Sequence, residues 1–173
     1  GKKLWEHEWK TQYDVNAADP IVASNKVFIS AGYNHGCALL EIKGGKATVL
    51  WENKNLKNHI NSSILLGGFL YGFDGNAGPK ADFKCIDFET GKVKWSEAKL
   101  GAGALIAADE KLIVITDKGE LIIMEPSGDA FKPISRAQVL GGRNWTTPVL
   151  SNGKIYCRNA KGDLVCLDVQ AKN

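Results

Sequence analysis

The sequence predicts an all-β repeat protein, and three observations carry this prediction. A motif of two short strands joined by a glycine turn, Cys85 to Trp95, recurs in degenerate form about every 43 residues. Turn signals rich in Gly, Asn and Asp recur on the same schedule. No stretch shows a convincing helical period, and the glycine-broken residues 100–108 favour an inner strand over a helix.

Four units can be aligned by the positions at which their strands begin. The first strands begin at Ile21, Ile64, Leu105 and Pro148. The second strands begin at Val27, Leu70, Leu112 and Ile155. The third strands each carry an acidic residue two places after a small or apolar one, at Glu41, Asp87, Glu125 and Asp168. We therefore expect one domain, 1–173, divided into units at roughly 16–55, 56–99, 100–142 and 143–173.

A tryptophan marks the fourth, outermost strand of a unit. Trp51 and Trp95 occupy this position in the first two units. In the third unit the degenerate version is Phe131 or the stretch 134–139, and the fourth unit reaches Asn173 without one.

The missing outer strand is expected to come from the other end of the chain. Residues 4–10 alternate in polarity, and Trp9 lies 42 residues before Trp51. An N-terminal strand that pairs into the last unit closes a β-propeller and removes its exposed edges. The predicted fold is thus a β-propeller segment of four four-stranded blades.

Composition describes an ordinary globular protein and excludes several functions. Of 173 residues, 44% are hydrophobic and 24% are charged, with a net charge of +3. Without a run of four or more Lys or Arg residues, the sequence lacks the basic footprint of a nucleic-acid binder. No apolar run is long enough for a transmembrane segment, and no signal peptide precedes Leu4. The start Gly1-Lys2-Lys3 is interpreted as an internal cut, which leaves the compartment open.

The four cysteines favour packing roles over metal binding. They have no CxxC spacing, which argues against a zinc site. Cys85 and Cys166 share one repeat position, where cysteine would act as a small hydrophobic residue. Cys157 and Cys166 flank a hairpin turn, so a disulfide between them stays open as an alternative.

The candidate binding residues lie in polar loops that lead into the innermost strands. They are Asn16, Asn58, His59, Asn61, Arg143, Asn144 and Trp145. One interpretation is a ligand pocket at the channel mouth, with an aromatic wall, amide groups and one cation. The other, which we favour, is that these side chains satisfy backbone groups at strand ends. His59 has no local carboxylate or nucleophile as partner, and no two histidines have metal-ligand spacing, so neither a catalytic residue nor a metal site is predicted.

The element Cys85-x-Asp87-x-x-Thr90-Gly91-x-x-x-Trp95 resembles the tryptophan-docking repeat of quinoprotein-like propellers. Nearly all of the chain is similar to the C-terminal half of PQQ-like propeller proteins of the planctomycete type. The resemblance implies that Trp9, Trp51 and Trp95 dock on a glycine turn of the neighbouring blade, such as the turn of Asp87 and Gly91. It also implies a ring of about eight blades. Either a missing N-terminal half or a second copy in a homodimer would then complete the ring, unless the chain closes alone with four blades.

The resemblance leaves two classes of function open. The preferred one is a non-catalytic module for ligand or protein binding or scaffolding, in the periplasm or otherwise outside the cytoplasm. Scaffolding within an outer-membrane assembly system is a variant of it that rests on fold analogy alone. The alternative is a fragment of a PQQ-dependent quinoprotein alcohol dehydrogenase, which would use PQQ with calcium. In that case Trp145 would stack on the cofactor and Asn16, Asn58 or Asn61 would offer amide oxygens, but the adjacent cysteine pair of such enzymes is absent.

Overall fold

The computed structural model describes residues 1–170 as four antiparallel sheets that follow one another along the chain. The first sheet comprises β1 (Ile21–Ala23), β2 (Lys26–Ala31), β3 (Gly36–Lys43) and β4 (Lys46–Asn53). The second comprises β5 (Ile64–Leu66), β6 (Phe69–Asp74), β7 (Asp82–Asp87) and β8 (Val93–Glu97). The third comprises β9 (Ala104–Ala108), β10 (Lys111–Ile115), β11 (Glu120–Glu125) and β12 (Lys132–Gln138). The fourth comprises β13 (Val149–Ser151), β14 (Lys154–Arg158) and β15 (Leu164–Asp168).

Each sheet is a simple meander, in which every strand pairs with the next one along the chain. The only helical element in the described residues is a 3-10 turn at Gln12–Asp14, and none of their helices is long and apolar enough to cross a membrane. The prediction of an all-β protein built from propeller blades is confirmed. The fourth blade differs, because its sheet has three strands instead of four.

The sheets are held together by packing face against face. One apolar cluster joins the first and second sheets, a second joins the second and third, and a third joins the third and fourth. Because an interior sheet is covered on both faces, its middle strands are continuous apolar runs; Leu112 to Ile115 in β10 are all buried. The core is therefore a series of layers between blades.

The arc of four sheets is open. No apolar cluster in residues 1–170 joins the fourth sheet to the first. The outermost sheets accordingly leave large hydrophobic side chains in solvent, since Val22 is 69% exposed on β1, Val149 55% on β13 and Leu164 67% on β15.

Residues 4–10 do not form the predicted outer strand of the fourth sheet. They form no strand in the structure, and Trp9 packs on the free face of the first sheet, against Val27, Ala38 and Leu40. Its ring also meets His35 edge-on, with 4.4 Å between centroids. The physical reason is the open arc: the N-terminal segment leads directly into the first sheet, and the fourth sheet lies at the opposite end.

The outer strand of the third sheet carries no docking tryptophan. Leu39 pairs with Trp51 in the first sheet and Cys85 pairs with Trp95 in the second, whereas Ile123 pairs with Ser135 in the third. Phe131, one of the two predicted substitutes, lies just before the strand and packs back against Trp95, with 5.9 Å between ring centroids. The stretch 134–139 supplies the strand and no aromatic ring.

All four cysteines are free. Cys157 lies opposite Val165 and is buried against the third sheet, whereas Cys166 lies opposite Tyr156 on the other face and is exposed. The two thiols therefore point away from each other, and no disulfide joins them. Burial raises the pKa of Cys85 to about 12 and that of Cys37 to about 12, so neither is a nucleophile at neutral pH.

Candidate functional site

The repeat motif forms a tight turn at the end of β7. The Asp87 carboxylate accepts hydrogen bonds from the Thr90 backbone N–H at 2.8 Å and the Thr90 hydroxyl at 2.7 Å. These bonds lower the pKa of Asp87. The Gly91 N–H donates to the Asp87 carbonyl at 2.9 Å, and Gly91 has a φ of +66°, where glycine has no steric cost.

Trp51 of the first sheet docks on this turn of the second sheet. Its indole N–H donates to the Phe88 carbonyl at 3.2 Å, and Asn53 and Asn55 donate to the Gly91 carbonyl at 3.2 and 2.8 Å. A Cβ at Gly91 would lie 2.7 Å from the Trp51 ring, so only glycine allows this approach. The turn is thus a connector between blades.

Trp95 repeats the arrangement between the second and third sheets, but Trp9 does not complete it. The Trp95 indole N–H donates to the Ser127 carbonyl at 2.7 Å. The Trp9 indole N–H is buried on the first sheet without a partner. The docking geometry is therefore complete at two positions and unfinished at the third.

Two of the predicted site residues, Asn58 and Asn144, are buried and hold the backbone. The Asn58 amide N–H donates to the Phe73 carbonyl at 3.1 Å, and its oxygen accepts from the Ser63 hydroxyl at 2.8 Å. The Asn144 amide N–H donates to the Gly142 carbonyl at 2.9 Å. The Asn144 side-chain oxygen is buried and without a partner.

Arg143 and Trp145 stack on each other at the entry to the fourth sheet. The guanidinium carbon of Arg143 lies 4.5 Å from the centre of the Trp145 ring, which is cation–π geometry. The Trp145 indole N–H donates to the Asp117 carboxylate at 2.7 Å. One face and the indole N–H of this tryptophan are therefore engaged within the chain.

His59 anchors the long loop between β6 and β7. Its Nδ1 accepts the Ala77 backbone N–H at 3.0 Å, which places the ring proton on Nε2 in the neutral form. Tyr33 meets the ring edge-on, with 4.8 Å between centroids. Gly32 lies under the ring, where a Cβ would come within 2.9 Å of it. These contacts describe an anchoring residue.

Asn61 lies where the second, third and fourth sheets approach one another. Its amide donates to the carbonyls of Gly103 at 2.8 Å and Trp145 at 3.1 Å. It also lines a shallow cavity of about 320 Å³ on the inner side of the arc, which draws residues from all four units: Asp19, Ile60, Ser62, Ile64, Leu105, Ile106 and Thr147. Asn16 lies elsewhere, in the groove over the free face of the first sheet. The predicted set therefore does not converge on one pocket.

Sequence reasoning missed a charged cluster at the start of the same long loop. The Asp74 carboxylate, 8% exposed, pairs with Lys57 at 2.9 Å and with Lys84. It also accepts the Lys57 backbone N–H at 2.8 Å. Asp74 and Lys84 lie on the paired strands β6 and β7, whereas Lys57 comes from the loop before β5, so no local sequence motif brings the three residues together.

The residues of the inner loops do not fit calcium with PQQ. Calcium takes six to eight oxygen ligands. Here the Asn58 oxygen is engaged by Ser63, and the exposed Asp19 carboxylate is hydrogen-bonded to Ser62 at 3.2 Å. No group of three or more His, Cys, Asp or Glu side chains in residues 1–170 is arranged to hold a metal ion. We therefore derive no reaction step through this cofactor pair.

Meandering sheets joined by tryptophan docking define the chain as a tryptophan-docking β-propeller protein. The family model described as "Outer membrane protein assembly factor BamB", of the PQQ-like repeat class, matches residues 1–97. The chain belongs to this family of PQQ-like propeller proteins. No curated protein matches its sequence.

Solved structures show the same fold at low sequence identity. BamB from Moraxella catarrhalis is 17% identical with a TM-score of 0.64, over 86% of this chain and 42% of that one. The computationally designed Ika4 protein is 12% identical with a TM-score of 0.72, over 98% of this chain and 99% of that one. A europium-containing methanol dehydrogenase is 13% identical with a TM-score of 0.54, over 70% and 24%. The chain thus spans less than half the length of this BamB.

Proposed function

We propose that this chain is a non-catalytic propeller module that binds protein through the free faces at the ends of its arc. The observation that carries the proposal is the contrast between two surfaces. The polar loop residues are engaged within the chain: Asn58 and His59 hydrogen-bond to backbone groups, and Trp145 donates to the Asp117 carboxylate. The free end faces, by contrast, expose unpaired apolar side chains, Val22 and Val149 among them. Exposed apolar surface of this kind is typical of sites that bind other proteins.

The family description supports a scaffolding role outside the cytoplasm. It names a factor of outer membrane protein assembly, and we extend that setting to this chain as part of the proposal. The alternative, part of a quinoprotein alcohol dehydrogenase, is favoured by the fold shared with the methanol dehydrogenase and by the stacked Arg143–Trp145 pair beside the inner loops. The misfit of the described inner-loop residues to calcium with PQQ weighs against it.

A titration with PQQ and calcium separates the two functions. We expect no saturable PQQ binding by calorimetry, with or without calcium, because the Asn58 oxygen and the Asp19 carboxylate are already hydrogen-bonded and the unpartnered Asn144 oxygen is buried. We also expect no dye-linked oxidation of a primary alcohol. A PQQ-dependent alcohol dehydrogenase prepared in the same buffers is the positive control. Saturable, calcium-dependent PQQ binding that is lost in Trp145→Ala would contradict the scaffold function and support the enzyme fragment.

A further inference from the structure

The free face of the fourth sheet has the same residue pattern as a face of the second sheet that is covered by the next blade. Val149, Tyr156 and Cys166 lie side by side across its three strands and face away from the third sheet. Their repeat equivalents in the second sheet are Ile64, Tyr71 and Cys85, which pack against the third sheet. Cys85 is fully buried there, whereas Cys166 is exposed. Side chains at the same repeat positions are thus buried between sheets inside the arc and exposed to solvent at its end.

The free face of the first sheet is the matching surface. An apolar groove of about 540 Å³ lies over it, between the sheet and the N-terminal segment, and is lined by Trp5, Trp9, Val22, Val27, Ile29 and Leu40 among others. The repeat equivalents of its sheet residues in the second sheet are Leu65, Leu70 and Ile86, which pack against the first sheet. The free faces at the two ends of the arc therefore carry residues equivalent to those of the two faces that meet at each junction between neighbouring sheets.

The N-terminal segment lies beside this groove, and the side-chain hydrogen bonds that would dock it on a neighbouring sheet are not formed. The Trp9 indole N–H and the Thr11 hydroxyl are both buried without partners. Their equivalents 42 residues later, Trp51 and Asn53, both donate to the connecting turn of the next sheet. A buried donor without an acceptor is destabilising, because it has lost its hydrogen bond to water. The N-terminal segment therefore lies close to the position that an outer strand such as β4 takes relative to the next sheet. The sheet with which it would pair as an outer strand is missing.

We propose that a second copy of this chain completes the ring, an inference that rests on the binding-module function. At each junction, the fourth sheet of one copy packs on the free face of the first sheet of its partner copy. Residues 4–10 of the partner copy then pair with β15 and become the fourth strand of that fourth sheet. A two-fold axis makes both junctions identical and leaves no open end. Two arcs of four sheets give eight blades, within the range of known propellers.

The repeat fixes the register of the exchanged strand. Trp51 pairs with Leu39 and Trp95 pairs with Cys85. By the same spacing, Trp9 of one copy lies opposite Cys166 of the other. The junction then buries Cys166 as Cys85 is buried, and Trp9 stays on the first sheet that it already contacts.

Light scattering on the chain, with a matched pair of variants, tests the proposal. We expect twice the chain mass of 18.8 kDa at high concentration. Val149→Arg, at a position 55% exposed on the free face, should restore the mass of one chain. Ile134→Arg, at a position 53% exposed on the outer strand of the third sheet, should leave the doubled mass unchanged. A single-chain mass at all concentrations, or a doubled mass in Val149→Arg, would overturn the proposal.

A cross-link tests the register separately. Trp9→Cys treated with a thiol oxidant should give a covalent dimer through Cys166, and the same variant carrying Cys166→Ser should give none. Absence of the cross-link in a chain of doubled mass would overturn the strand exchange. These outcomes are independent of the PQQ titration: a dimer that binds PQQ contradicts only the non-catalytic function, and a monomer that does not bind it contradicts only the ring.

Discussion

Replacing Trp95 with alanine is expected to lower the free energy of unfolding by about 3–5 kcal/mol. The ring fills the junction between the second and third sheets, where it packs with Tyr71, Phe83 and Phe131. Its indole N–H also donates to the Ser127 carbonyl at 2.7 Å. The substitution removes both contributions and leaves a cavity between two blades. Chemical denaturation of the dilute chain measures the loss.

Trp95→Phe separates packing from hydrogen bonding at this junction. It keeps an aromatic ring and removes the N–H donor, so we expect a smaller loss, of about 1–2 kcal/mol. Trp5→Ala is the control, since Trp5 is 37% exposed beside the free groove and should cost less than about 1 kcal/mol in the single chain. Equal losses for Trp95→Ala and Trp5→Ala would show that the docking tryptophan does not hold the blades together.

Asp74→Asn is expected to destabilise the chain by about 3 kcal/mol. The substitution keeps the size of the side chain but removes the charge that faces two lysines, whose side chains are only 19% and 16% exposed. Two positive charges would then lie together in a largely buried site without a counter-charge. Thermal unfolding at neutral pH measures the effect as a lower midpoint.

Asp109→Asn is the matched control for Asp74→Asn. Asp109 also pairs with a lysine, Lys111, at 3.4 Å, but its side chain is 95% exposed, so its loss should cost less than about 0.5 kcal/mol. Adding Lys57→Met and Lys84→Met to Asp74→Asn should recover part of the stability, because apolar side chains tolerate this site without a counter-charge. A loss at Asp74 no larger than that at Asp109 would contradict the buried-cluster account.

The repeat predicted the strands well because each strand has its own local pattern. β1, β5 and β13 begin within one residue of the aligned positions Ile21, Ile64 and Pro148. The glycine-broken stretch 100–108 indeed contains β9, since glycines before a strand do not oppose it. The position of each strand is determined by neighbouring residues along the chain, so the repeat can be recognised even where single motif residues change.

The placement of the N-terminal segment could not be predicted from the same pattern. The spacing of 42 residues gives Trp9 the register of an outer strand, but register does not say which sheet the segment pairs with. That choice depends on whether the arc closes, which is a property of all four sheets together. In the open arc Trp9 contacts only the first sheet.

The candidate site shows the same limit. The sequence identified polar residues at loops entering inner strands, but their roles depend on partners far away along the chain. Asn61 donates to Trp145, 84 residues later, and His59 accepts from Ala77 in another loop. Asp74 and Lys84 meet through the register of β6 and β7, and Lys57 joins them from the loop before β5, where its backbone N–H donates to Asp74. The sequence identifies such polar side chains but does not show which partners they contact.

The rate at which a maleimide labels Cys166 tests the paired end faces most directly. In the dilute chain Cys166 should react first, while the buried Cys37, Cys85 and Cys157 stay unlabelled by mass spectrometry. As the concentration rises until the scattering mass doubles, labelling of Cys166 should slow several-fold, because the second copy covers its thiol. A labelling rate that stays constant while the mass doubles would contradict the account, since the copies would then associate through some other surface.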